Sequence, residues 1–133
     1  MLRKQISYLL EGVYATGTKK MGRGVFTRRA IAAGTIIEIA PVIVMGAAER
    51  KLLDQTLLHD YIFEWEDNGC AMALGLIPFY NHSFEANCDY DMYFTKQLMT
   101  IKTMRKIKAG EELFINYNGE WNSQKEVWFP TSV

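Results

Sequence analysis

Between Gly12 and Met45 the chain reads as short β-prone runs punctuated by glycine, and this pattern restricts the fold more than any other feature. Runs at 12–15, 24–28, 35–40 and 42–45 are rich in Val, Ile, Thr, Phe and Tyr and too short for stable helices. Ala33-Gly34 has the chemistry of a tight turn, and Ala109-Gly110 repeats it. Further strand-like runs follow at 61–65 and 70–74, flanking the turn Asp67-Asn68-Gly69, and then at 88–94, 98–103 and 112–117. Only 47–58 suits a helix, with Leu53, Leu57 and Leu58 on one face and Glu49, Arg50, Lys51 and Asp54 elsewhere. The segment 78–83 reads as a loop or a single helical turn. Patterning therefore predicts a mainly β domain with one or two short helices.

At 133 residues the chain has room for one domain with a real core. Lys plus Arg and Asp plus Glu each total 15, so the basic excess of a nucleic-acid binder is missing. The sequence shows no signal-peptide pattern and no apolar run near the ~20 residues that span a bilayer. Cys70 and Cys88 fit neither a zinc spacing nor a disulfide framework. The expectation is a soluble, intracellular protein without a metal site, direct nucleic-acid binding or membrane attachment.

Three segments carry the functional signal: Gly22-Arg23-Gly24-Val25-Phe26, then Asn81-His82-Ser83 with Asn87-Cys88, then Gly110-Glu111-Glu112-Leu113-Phe114-Ile115-Asn116-Tyr117. The first begins like a dinucleotide fingerprint, but its third glycine and following helix are missing. Taken in this order, the three closely resemble the SET domain of protein lysine methyltransferases. With Ala71-Met72-Ala73-Leu74-Gly75, the chain is most similar to the compact stand-alone SET proteins of viruses and bacteria. The resemblance implies several short β-sheets and a C-terminal pseudoknot, in which the last strand passes beneath the loop around Asn81-His82. It assigns 1–133 to one SET domain, with a core at about 12–117 and an aromatic lid segment at 118–133. The compartment would be the cytoplasm, or a host nucleus for a viral protein or effector.

The implied reaction transfers a methyl group from S-adenosylmethionine (SAM) to lysine. A free lysine has a pKa near ~10.4, so keeping it neutral at physiological pH costs about 4 kcal/mol. A dry aromatic channel and the sulfonium charge both favour the neutral amine, so no Asp or Glu base is required. The resemblance gives Tyr117 the catalytic role, orienting the amine near the methyl group. Gly22, Arg23, Gly24, Asn81 and His82 would hold SAM, with Trp128 and Phe129 as a lid in place of the zinc knot of some relatives. Tyr61, Tyr80, Ile115 and Trp121 would line the lysine channel. Read as residues alone, Tyr117 and Tyr61 also suit core packing, and His82 a satisfied buried histidine.

The chain departs from the family pattern at Ile115, usually an aromatic that tunes how many methyl groups are added, and at Asn116, commonly Asp. Phe84 and Ala86 stand where many relatives have Cys and Pro. The smaller Ile115 implies di- or trimethylation. The implied partner is a lysine-bearing protein, histone-like or otherwise basic; a homodimer stays open. The competing function is a SET-like peptide-binding module that has lost methylation.

Overall fold

The computed structural model describes residues 6–118. Two sheets built from short strands make up the framework, as the glycine-broken pattern requires. The larger sheet has the order β5 (Phe63–Glu64), β6 (Cys70–Ala73), β4 (Ile36–Met45), β9 (Leu98–Thr103) and β8 (Cys88–Tyr93), with β1 (Tyr8–Leu9) also paired to β4. The smaller has the order β2 (Val13–Gly17), β3 (Arg23–Thr27), β10 (Glu112–Ile115) and β7 (Asn81–His82). The core between them includes Val25, Ile37, Ile77, Tyr80, Met99, Ile101, Ile107, Leu113 and Ile115, all fully buried.

Two of the expected runs, 35–40 and 42–45, form one strand. β4 continues through Pro41 because it changes partners there: Ile36 to Pro41 pair with β9, and Val42 to Met45 with β6. The Pro41 carbonyl accepts from Leu74 N at 3.0 Å, and its missing N–H falls at the hand-over. The expected helix 47–58 stops early. Its α-helical part, α1, is Ala47–Leu53, and a 3₁₀ turn follows at Leu57–Asp60. Thr56 causes the break: its hydroxyl donates to the Leu53 carbonyl at 2.7 Å and accepts from Leu58 N at 3.2 Å, capping one element while starting the next. The run 61–65 keeps only Phe63–Glu64 as strand, and the turn after it is a 3₁₀ segment with Asp67 and Asn68 at positive φ. Among the described residues no helix is long and apolar enough to cross a membrane.

One pairing does most to build the site. β7 runs parallel to β10, with Asn81 opposite Phe114 and Ile115 opposite His82. The loop after β7 then holds the same strand. Ser83 N donates to the Ile115 carbonyl at 3.1 Å, Asn87 Nδ2 donates to the Glu112 carbonyl at 2.9 Å, and Asn87 Oδ1 accepts from Phe114 N at 2.8 Å. The amide of Asn87 thus stands in for a neighbouring strand.

Candidate active site

Because β10 lies between β3 and β7, Gly24, Asn81, His82 and Tyr117 converge from distant parts of the chain. Tyr117 is held at both ends. Its backbone N–H donates to His82 Nδ1 at 3.0 Å, and its hydroxyl donates to the Tyr80 carbonyl at 2.6 Å. Since Nδ1 accepts, neutral His82 carries its proton on Nε2. Burial lowers the His82 pKa, which favours this neutral ring. The His82 ring packs between those of Phe84, at 4.7 Å, and Tyr117, at 5.3 Å. Burial pushes the Tyr117 phenol well above its usual range, and neighbouring Tyr61, Asp60 and Glu112 push the same way. Tyr117 is therefore a neutral hydroxyl at physiological pH, already donating its proton to a carbonyl.

Two cavities meet at this hydroxyl-bearing residue, and Asp60, Tyr61, Pro78 and Tyr117 border both. The larger, about 1030 Å³, is rimmed by Asp54, Asp60, Glu64, Glu66 and Asp91 against Arg50 and His59. The smaller, about 280 Å³, is bounded by Met21, Gly22, Arg23, Phe79 and Asn81. Its chemistry is set by a compact network. The Arg23 guanidinium stands over the Phe79 ring at 4.6 Å. Asn81 Nδ2 donates to the Arg23 carbonyl at 3.1 Å and to Glu112 Oε2 at 2.8 Å. Both its N–H groups are thereby engaged, and the side-chain oxygen remains as its acceptor for a ligand. Burial raises the Glu112 pKa, while the Asn81 hydrogen bond lowers it. Gly24 makes the network possible: a Cβ there would stand 2.5 Å from Glu112 Oε2 and 2.9 Å from Asn81 Nδ2. At Gly22 nothing lies within 4 Å of a Cβ position, so its backbone is open to approach.

Similarity to known proteins identifies one family. The SET domain family matches residues 22–118. The chain belongs to it. A Schizosaccharomyces pombe relative of this SET-domain protein, named as a histone-lysine N-methyltransferase specific for H3 lysine-37, is 36% identical over 113 residues, which are 84% of this chain and 73% of that protein. A crystal structure from Plasmodium falciparum, assigned as a histone methyltransferase, aligns with a TM-score of 0.62 at 25% identity, covering 85% of this chain and 98% of that one. The mainly β SET fold and membership of the protein-lysine methyltransferase family are thus established.

Within the SET-domain protein, Gly22, Arg23, Asn81, Tyr61 and Tyr117 all border the smaller cavity. Gly24 lies beneath the Asn81–Glu112 pair, and His82 is buried behind Tyr117. Tyr80 and Ile115 sit differently from the expected channel walls. Both side chains are fully buried in the core and border neither cavity. Tyr80 reaches the site through its carbonyl, because its hydroxyl is drawn inward to Glu38 at 2.9 Å. Trp121, Trp128 and Phe129 lie outside the described residues. Sequence reading gave no role to Glu112, Asn87 or Glu38. The first two stand inside the quoted motifs, and the third is a lone charge amid Ile36-Ile37 and Ile39-Ala40.

Proposed function

We propose that the protein transfers methyl groups from SAM to a lysine of a basic, histone-like protein, with SAM in the smaller cavity and the lysine entering from the larger. The observation that carries this reading is the sharing of Tyr117 and Tyr61 by both cavities, which gives donor and acceptor one meeting point. The smaller cavity suits a molecule with a carboxylate, an ammonium and an aromatic base: Arg23 offers a cation, the Asn81 oxygen an acceptor, and Phe79 and Tyr61 ring surface. Gly22 and Gly24 leave the backbone accessible beside them. When bound, SAM supplies a methyl group already activated by its sulfonium.

The protein's own task is alignment and desolvation. With its proton committed to the Tyr80 carbonyl, Tyr117 presents oxygen lone pairs that accept an N–H of the amine. That contact turns the nitrogen lone pair toward the methyl group. Tyr61 and Tyr117 exclude water, which favours the neutral, nucleophilic amine. Around the larger cavity the carboxylates attract the positive charges that flank the target lysine. The Schizosaccharomyces pombe relative's histone specificity supports a substrate of this class.

The test combines SAM titration by calorimetry with mass spectrometry of a basic histone peptide. Tyr117→Phe should keep SAM affinity while kcat falls about 10²–10⁴-fold. Normal turnover by Tyr117→Phe would remove that residue from the mechanism. Wild-type protein that binds SAM and peptide without methylating would be a peptide-binding module instead.

A further inference from the structure

Glu38 is a carboxylate placed where carboxylates are costly, in the middle of β4 with 2% of its surface exposed. Its cross-strand neighbours, Leu9 and Ile101, are apolar. Two donors justify its presence: Oε2 accepts from Leu76 N at 2.7 Å, and Oε1 accepts the Tyr80 hydroxyl at 2.9 Å. Gly75 lets the turn close over it, since a Cβ there would overlap Oε2 and the residue's φ of +69° favours glycine. One carboxylate thus fastens both ends of 75–80. The segment ends in the carbonyl that receives the Tyr117 hydroxyl, and Asn81 follows directly.

We propose that Glu38 is a positioning residue for methyl transfer, whose carboxylate acts through Tyr80 to set the carbonyl that orients Tyr117. The inference rests on the reading of Tyr117 given above. An ionised carboxylate is acceptor-only and satisfies both donors; a protonated acid or a glutamine keeps one acceptor for Leu76 N and presents a donor to the Tyr80 hydroxyl, whose own proton must then turn away from Glu38. The titratable group facing Glu38 is the Tyr80 hydroxyl, with the Cys88 thiol beside Tyr80; Ile77, Pro78 and Phe79 bring no charge. Burial pushes Glu38 up to about 7, so it ionises near neutral pH.

The experiment compares kcat of wild type and Glu38→Gln from pH ~6 to ~9, at saturating SAM and peptide. Substrate amine deprotonation acts on both proteins alike and cancels in the ratio of wild type to variant. That ratio should climb from near unity below pH 7 to a plateau of roughly ten- to a hundred-fold above it, the scale of a misplaced reacting group, with SAM Kd unchanged. A pH-independent ratio, whether unity or a constant loss, would overturn the proposal. Should Glu38→Gln fold poorly, Tyr80→Phe keeps ring and carbonyl while removing the link. It should show the same kcat loss, and the double variant should be no worse than the more impaired single one. A fully active Tyr80→Phe would overturn the proposal. Tyr117→Phe run alongside separates the two readings. If it alone is impaired, only the role of Glu38 fails; if all three turn over normally, the role of Tyr117 fails too.

Discussion

At the scale of single residues, the site depends on which polar atoms are already spoken for. The Asn81–Glu112 contact exists because residue 24 has no side chain. Gly24→Ala should leave the fold intact, since the Glu112 carboxylate can swing aside, yet break that contact and free the Asn81 amide to rotate. SAM affinity is expected to fall by about 1–2 kcal/mol with Tm lowered only a few degrees, measured by calorimetry and thermal melting. Glu38 gives a second prediction, on stability. Its folded pKa of about 7 lies above the unfolded value of 4.5, so its contribution is fully present below pH 4.5 and is lost as pH rises through 7. Urea melts should show wild type losing up to about 3 kcal/mol relative to Glu38→Gln between pH ~5 and ~8. A constant difference would contradict the assignment. His82, lowered by burial, acts in the opposite direction at acid pH, and the comparison with Glu38→Gln cancels it. Glu38 was legible only as an anomaly, one charge inside an apolar run. Nothing in a linear pattern says that the charge meets Leu76 and Tyr80, which lie far along the chain.

At the scale of elements, β10 needs partners on both edges, and the Asn87 amide supplies part of one. Asn87→Ala would strand the Glu112 carbonyl and the Phe114 N–H. A loss of about 2–4 kcal/mol is expected in urea unfolding, with faster hydrogen exchange at Phe114 than at Ile101. A variant with wild-type stability would show that the strand does not depend on this side chain. The strands themselves were readable because their residues are β-branched or aromatic and bounded by glycine. The failures have local causes: Pro41 reads as a break until β4 is seen to change partners beneath it, and Thr56 is silent until its hydroxyl is seen capping. Parallel pairing of β7 with β10 leaves no periodic trace in two strand residues. The motif resemblance, not patterning, brought Asn81-His82 and Tyr117 together. The same resemblance placed Tyr80 and Ile115 by their positions in the chain, and position alone does not say which way a side chain points.

At the scale of the whole molecule, formal neutrality conceals an uneven surface. Five carboxylates rim the larger cavity although the chain carries no net charge. Attraction of a basic substrate to that rim should be screened by salt. Raising ionic strength from ~0.05 to ~0.3 M should increase KM for a basic peptide several-fold, while SAM Kd changes little. A KM insensitive to salt would place substrate binding away from this rim.

The order of the strands also has a consequence during synthesis. Translation delivers Asn81–His82 well before Ile115, and β7 has only β10 for a partner among the described strands. A nascent chain therefore holds that edge unpaired, with Tyr117 not yet made and neither cavity bounded. Chain growth itself withholds the candidate site until β10 slots in, and an emerging polypeptide stays adhesive at the edge that will later border that site.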